Sequence, residues 1–373
     1  MDKLSLLDIK KKNYTDIYHF IYKNSNSSKQ AIAQGLNMSL PTVSQHLNTL
    51  LENGLICQCG QLQSQIGRKA AAYSIVPDAR IAIGVEIIRK RVTIAAVNLY
   101  GELITYRRAN ILFENSDTYY EQVCSKILEF IEEQAFSQQQ ILGISFAMQG
   151  LVTSDNKKMA YSKILDTTDL TAEFLESCLH YPCMLRHDSE CAAATALWHN
   201  PEIDNAIYLS ISNHLGGAVI IHGEIQQGRA GKSGTMEHMT LYPKGKKCYC
   251  GQLGCAECYC SANAFLKEDE DLETFFKNKK MGDTDRLERW HLFLDHLSLF
   301  LNNIHLVIDS VIILGGHISP FMEDEDFIYL HKKIMENTAF PEAEPFVLPG
   351  SRLPHEIPIG AAMRYIKEFL DGI

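Results

Sequence analysis

What the chain lacks sets its first limits. No stretch of its 373 residues approaches the roughly 18 uncharged apolar residues of a membrane-spanning helix, so no membrane partner is expected. The opening MDKLSLLDIKKKNYTD is too charged for a secretory leader, and a cytoplasmic location is expected. An overall basic charge is absent as well. The formal net charge is −10, which in a uniform chain would argue against nucleic acid. The charge is not uniform, however: residues 1–80 hold nine Lys and Arg against five acidic residues, a net +4 that leaves −14 on the remainder. A basic head on an acidic body places any anionic partner at the head. An apolar fraction of 46% with 21% charged residues is ordinary for a globular protein, and the length predicts two or three domains. Cysteine is the residue in surplus. Eleven of them, in a chain expected to stay in a reducing compartment, predict burial, metal binding or catalysis rather than disulfides.

The head reads as three helices and a hairpin. Tyr14, Ile17, Tyr18 and Ile21 recur at helical spacing. The polar run from Asn24 to Ser28 breaks that pattern and supplies an N-cap for a second helix, KQAIAQGL. Ser39 caps a third, with Pro41 in its first turn and Val43, Leu47, Leu50 and Leu51 as its apolar stripe. A short helix, a tight turn and a longer helix make a helix-turn-helix. Pro41, Thr42, Gln45, Asn48 and Thr49 lie away from the stripe and, with Ser44, are the candidates for contact with base edges and phosphates. LICQCGQLQSQIGRKAAAYSIV then reads as two strands around a polar turn, a wing with Arg68 and Lys69 near its tip. A winged helix-turn-helix over residues 1–78, bound to a double-stranded DNA operator, is the expectation; a three-helix interaction module is the alternative. Cys57 and Cys59 alternate on the first wing strand and are expected to pack on one side.

After Pro77-Asp78 the pattern changes. Ile81–Ile88, Val92–Asn98 and Glu102–Tyr106 read as strands, followed by an amphipathic helix from about Asp117 to Gln134 and a strand at Ile141–Ala147. A strand ending at His187, an alanine-rich helix from Ser189, a hairpin AIYLSIS…GGAVIIHGEI and a strand at Ser310–Gly316 come next. A last helix surrounds Gly360–Leu370. Strands that meander and then alternate with helices, twice over, predict a two-lobed α/β body with a ligand cleft between the lobes.

Lys247–Cys258 reads KCYCGQLGCAEC. The Cys-Tyr-Cys spacing puts two sulfurs on one turn, and Gly251 and Gly254 permit the tight backbone that returns Cys255 to them. On spacing alone this is a metal knuckle or a reduced, metal-free loop.

The order of winged helix, β-meander and HMTLYPKGKKCYCGQLGCAE resembles the ROK family of sugar kinases and sugar-responsive repressors, over nearly the whole chain. The resemblance implies an α/β fold: an N-terminal winged helix-turn-helix followed by a two-lobed actin/sugar-kinase-like (ribonuclease H-like) body over 79–373. Its lobes would span approximately 79–188 plus the C-terminal helix, and 189–355. It also implies that His238, ten positions before the first cysteine, joins Cys248, Cys250 and Cys255 in a tetrahedral zinc site. Three thiolates and one imidazole form a closed structural set with no position for an activated water. Cys258 and Cys260, which the family does not usually carry, are expected to be buried spectators, although either can substitute for a ligand.

Kinases of the family carry an Asp-x-Gly-Gly-Thr-Lys phosphate loop. Here the matching stretch is Glu86-Ile87-Ile88-Arg89-Lys90, without glycine or threonine. A second loop, Ser212–Gly217, is partly kept, and a third survives as Leu314-Gly315-Gly316. Phosphoryl transfer depends on positioning and charge neutralisation, so no kinase activity is expected. Toward the sugar, the resemblance implies roles for Asp188, His238 and Glu257. The family's Glu-x-Gly-His is Thr235-Met236-Glu237-His238 here, so one sugar-binding carboxylate has become threonine. Asp188 as a helix cap and Glu257 as a cap or lysine partner are the plain alternatives. The expectation is a repressor released from DNA by a sugar or sugar phosphate, acting as a homodimer or homotetramer. A sugar kinase with an appended DNA-binding head is the runner-up, and the sign of regulation stays open.

Overall fold

The computed structural model describes residues 6–62 and 70–373; Arg68 and Lys69, and with them the expected wing tip, lie outside the described residues. The head is built from α1 (Leu6–Lys23), β1 (Ser27–Ser28), α2 (Lys29–Gly35), α3 (Leu40–Glu52), β2 (Ile56–Leu62) and β3 (Ala70–Ile75). Ser28 and Ser39 cap α2 and α3 by accepting the Ala31 and Thr42 amides, as their positions require. Ile17, Tyr18, Ile21, Ile32, Val43, Leu47 and Leu50 are buried, so the three apolar stripes close on one another. The wing has a third strand that sequence patterning missed: two-residue β1 pairs antiparallel with β3. Cys57 and Cys59 are exposed rather than packed; Cys59 meets Asn26 and Ser74 at the sheet surface, a face that no described element covers.

The body begins with β4 (Ile81–Ile88), β5 (Arg91–Asn98), β6 (Leu103–Ala109), α4 (Asp117–Glu133), β7 (Ile141–Met148), β8 (Leu151–Val152), β9 (Met159–Tyr161), α5 (Ala172–Leu179), β10 (Cys183–His187) and α6 (Asp188–His199). It continues with β11 (Ala206–Ile211), β12 (Leu215–Ile221), β13 (Glu224–Ile225), α7 (Glu257–Cys260), α8 (Leu272–Lys280), α9 (Thr284–His305), β14 (Val311–Gly315), α10 (Asp324–Asn337), β15 (Val347–Pro349) and α11 (Glu356–Gly372). Two five-stranded sheets result, ordered β10-β7-β4-β5-β6 and β13-β12-β11-β14-β15. In each, an antiparallel meander of three strands is extended by two parallel strands beside its first member. The same topology written twice is the doubled α/β body expected of a sugar-kinase-like fold. One core lies between the first sheet and α4 and α5; a second, centred on Trp290, Phe293, Phe300 and Phe275, lies between the second sheet and α8, α9 and α10.

Helices α8 to α10 were not read from the sequence. In α9 the apolar residues are distributed widely around the axis, with ten buried positions among its 22 residues. Such a helix shows little amphipathic contrast, which is the signal a sequence reading relies on. The last helix is also longer than expected, starting at Glu356 rather than near Gly360. Its first turn contains Pro358, tolerated there because no i−4 partner exists yet.

α11 is the element on which the others converge. Its Pro358 carbonyl lies so close to β4 that a Cβ built on Gly84 would stand 1.7 Å from it. A Cβ on Gly360 would stand 1.7 Å from the Cys191 carbonyl of α6. Two glycines thus let three backbones touch without side chains between them. Further along, Ile366 and Leu370 of α11 enter the same core as Ile17, Tyr18 and Leu50 of the head. Phe369 meets Tyr18 edge-on with ring centres 6.4 Å apart, and Thr15 bonds the Ile373 carbonyl. Gly360→Ala should therefore destabilise the fold by about 3 kcal/mol, the upper range for overpacking. Gly372→Ala, whose Cβ meets nothing, is the control. Urea unfolding followed by far-UV circular dichroism compares the two.

Candidate ligand cleft, metal cluster and DNA-facing helix

A cavity of about 400 Å³ opens where the carboxyl ends of β7 and β10 meet the β11–β12 turn and the segment 232–252. Asp188 and His238 line it, together with Gln149, Ser162, His187, Ser212, His214, Glu237 and Tyr249. Asp188 is the first residue of α6, where the helix dipole favours a carboxylate. It is not the cap; that position is His187, which makes no side-chain cap bond. Asp188 Oδ1 accepts the Ser189 amide at 2.8 Å and stands 3.4 Å from His187 Nε2. The Ser189 hydroxyl in turn donates to the Gly217 carbonyl at 2.9 Å, tying α6 to the second sheet.

Glu257 does not line the cavity. Its two carboxylate oxygens accept His214 Nδ1 and the Leu215 amide, each at 2.7 Å. Among the described residues no lysine pairs with it. Its partner His214 lines the cavity wall.

Glu237 does line the cavity and was passed over by the sequence reading, which registered the threonine at 235 but not the acid gained two residues later. It is 7% exposed, and its Oε2 has no hydrogen-bond partner among the described residues. Burial, ahead of the neighbouring Glu257 and Asp188 charges, pushes its carboxyl up to about 8. The Thr235 hydroxyl is spent elsewhere, donating to the Lys232 carbonyl at 2.9 Å. Ser162 lines the cavity too, with its hydroxyl bonded to the Gln149 carbonyl.

Beside the cavity, one ligand atom from each of His238, Cys248, Cys250 and Cys255 lies within 4.8 Å of all the others, a group that could hold a metal ion. Cys250 and Cys255 sulfurs are 3.7 Å apart, and His238 Nδ1 is 3.8 Å from the Cys248 sulfur. Gly251 and Gly254 take positive φ of 96° and 81°, the left-handed turns their positions suggested. Burial lowers the His238 pKa, favouring the neutral imidazole that metals bind. It raises the Cys255 thiol to about 11, so these sulfurs become thiolates when a cation stands among them. The other edge of His238 faces Tyr249 at 3.4 Å and Glu237 at 3.7 Å, on the cavity side. Cys260 is fully buried in the second core. Cys258 is half-buried; burial raises its thiol and a hydrogen bond to Cys248 lowers it.

In the head, Pro41, Gln45, Asn48 and Thr49 form an exposed row on α3. Thr42 and Ser44 are half-buried, with hydroxyls already bonded to Ser39 and to the Leu40 carbonyl. The free amides of that row are therefore Gln45 and Asn48.

A winged helix-turn-helix on a doubled, sugar-kinase-like body defines the class. The chain belongs to the ROK family, whose model matches residues 82–351, and a winged helix-turn-helix DNA-binding model matches residues 15–56. It is 28% identical over 299 residues to a xylose repressor of Bacillus spizizenii, covering 78% of this chain and 75% of that protein. It is 26% identical over 390 residues to the DNA-binding transcriptional dual regulator NagC of Escherichia coli, covering 98% and 95%. Among solved structures, a ROK family transcriptional regulator homologous to the E. coli MLC protein superposes with TM-score 0.78 at 20% identity, covering 97% of this chain and 96% of that one. A ROK family glucokinase from Streptomyces griseus, solved with glucose and AMPPNP, superposes at 0.67 and 18% identity over 76% of this chain and 98% of its own.

One buried acid joins the two lobes. Glu356, at the start of α11, accepts the Tyr208 hydroxyl at 3.1 Å and the Gly316 amide at 3.0 Å, both from the second sheet. Burial pushes its carboxyl up to about 7. Between its ordinary value of 4.5 and that value, the folded chain holds a proton that the unfolded chain has lost. Stability therefore falls as pH rises through this window, by about 3 kcal/mol from this group. Glu356→Gln should flatten that part of the profile, measured by urea unfolding from pH 4.5 to 7.5 against the unsubstituted protein.

Proposed function

We propose that the protein is a sugar-responsive transcriptional repressor that binds operator DNA through α3 and the wing and is released by a sugar or sugar phosphate in the cleft. The observation that carries this reading is α11. One end of it closes a core with the DNA-facing head, and the other is bonded across the lobes beside the sugar-kinase-like cleft. A ligand that favours one lobe arrangement thereby shifts the head, provided it discriminates between the two arrangements. The xylose repressor and NagC relatives support the same assignment. Residues 1–78 serve as the DNA-binding unit and 79–373 as the sensor, in a homodimer or homotetramer that sets two recognition helices on one pseudo-palindromic site.

Gln45 and Asn48 read base edges; Pro41, Thr42 and Ser44 shape the helix start; Arg68 and Lys69 meet the backbone. In the cleft, Asp188 accepts ligand hydroxyls, His238 offers its outer ring edge, and Glu257 holds His214 in place. The metal is zinc. A tetrahedral ion with sulfur ligands at about 2.3 Å has sulfur–sulfur edges of about 3.8 Å, and the Cys250–Cys255 separation of 3.7 Å fits. Held by His238, Cys248, Cys250 and Cys255, zinc would fix the knuckle and with it the cavity wall that carries His238.

Catalysis of phosphoryl transfer is not part of this reading. At the position of the family's phosphate loop, β4 and β5 join through Arg89-Lys90 alone, with Ile88 paired to Arg91. A two-residue turn without glycine supports the reading that no phosphate cradle forms there. Arg91 instead stands 4.0 Å from the buried Glu86.

Two measurements test these roles. On a duplex selected in vitro by the unsubstituted protein, Gln45→Ala should weaken binding about tenfold, the worth of one base-reading amide, without altering calorimetric sugar binding. A parallel loss of both would refute the separation of head and sensor. Elemental analysis should find one zinc per chain, lost in Cys250→Ser and kept in Cys258→Ser. Chelation should lower the melting temperature of the unsubstituted protein toward that of Cys250→Ser.

A further inference from the structure

A second cavity, of about 440 Å³, shares no lining residue with the ligand cleft. It lies between α6, α11 and the strands β10 and β13, each of which is the outermost strand of its sheet. Leu197, Trp198, Ile203, Ile225 and Met363 give it apolar walls. Arg186 of β10 lines it too and is only 6% exposed. A guanidinium carries five N–H donors and stays charged throughout the pH range of proteins. Among the described residues Arg186 makes one hydrogen bond, from Nη2 to Glu190 Oε2 at a long 3.4 Å, and its buried Nε has no partner. The other cations of the lining, Arg364 and Lys367, are exposed and paired, with Glu368 at 2.8 Å and Glu224 at 3.0 Å. Buried donors left over at Arg186 cost free energy, and a ligand that supplies acceptors recovers it.

We propose that this cavity binds a small organic carboxylate, an apolar body whose single anionic head docks on Arg186. The planar fork of a guanidinium matches a carboxylate with two parallel N–H···O bonds, and the apolar walls take the body. The volume falls in the range of small-molecule sites. The neighbouring acids limit the ligand's charge. Glu190 stands beside Arg186 and Glu224 lines the cavity, so a second negative charge on the ligand meets repulsion that a monoanion avoids. A neutral amide brings donors of its own to a group that has no acceptor. Asn156 and Arg186 come from the first lobe and Ile225 and Gln227 from the second, with Gln227 donating to Asn156 at 3.3 Å, so the ligand touches both lobes. This site is separate from the cleft and does not depend on the carbohydrate reading of it.

Isothermal titration and saturation-transfer NMR of the full chain at about pH 7, where carboxylates are ionised, test this with benzoate, phenylacetate and hexanoate, their amides, and phenyl phosphate. At least one carboxylate should bind about tenfold or more tightly than its amide, and phenyl phosphate should bind more weakly than that carboxylate. Arg186→Gln should remove the preference for carboxylate over amide. Ala194→Leu, which fills the cavity from α6 and leaves the guanidinium in place, should weaken the same carboxylate about tenfold or more. Circular dichroism checks that each variant is folded, and Ala194→Leu decides alone if Arg186→Gln is not. An amide or phenyl phosphate that binds as tightly as the carboxylate overturns the inference. So does a folded variant that keeps the unsubstituted affinity and preference, and so does absence of binding by every carboxylate. None of these results bears on sugar binding in the cleft.

Discussion

The direct contact of three backbones at α11 is the constraint from which the rest follows. Gly84 admits the Pro358 carbonyl to the centre of the first sheet, and Gly360 admits α6 to the face of α11. Packing this close leaves no compliant side chains to absorb movement, since protein interiors transmit strain rather than yield to it. α11 and α6 therefore move as one piece with the first sheet. α6 begins at Asp188 in the cleft, and α11 ends in the core of the head. Cleft and head are joined through a solid element rather than through a linker.

The second lobe meets this piece through a small set of polar contacts. Glu356 reaches Tyr208 and Gly316, and the Ser189 hydroxyl reaches Gly217. Around them is a core that sets small residues, among them Ala192, Ala193, Ala196 and Ala361, beside Tyr208, Ile220, Ile313 and Ile357. The cavity and the cysteine cluster lie beside this contact between the two sheets.

Much of this was legible in the sequence because it rests on local patterns. Serine caps, the stripe of α3 and the C-x-C-G-x-x-G-C spacing each report a short-range geometry, and the structure realises them. What stayed hidden depends on partners distant in sequence. α9 is buried on several sides by elements up to α10, so its pattern loses the one-sided contrast that marks a helix. The family motif implies a sugar contact for Glu257, but not its hydrogen-bond partners His214 and Leu215, which come from a turn some forty residues earlier. Glu237 was legible only as a departure from a pattern, and a lost glutamate drew notice that a gained one did not. The relation between α11 and the head could not be read at all, since nothing in either segment names the other.

The shared core of head and body bears on how such proteins can be rebuilt. Ile366, Phe369 and Leu370 of α11 share a core with Ile17, Tyr18 and Leu50 of the head, and the head covers part of this apolar side. Cutting at the strand boundary near Pro77 would leave that side bare, a greasy stripe inviting self-association. Recombining this sensor with a foreign DNA reader is thus a problem of resurfacing one helix, not of choosing a linker. The boundary that matters for modularity runs along α11, at the far end of the chain from the domain it serves.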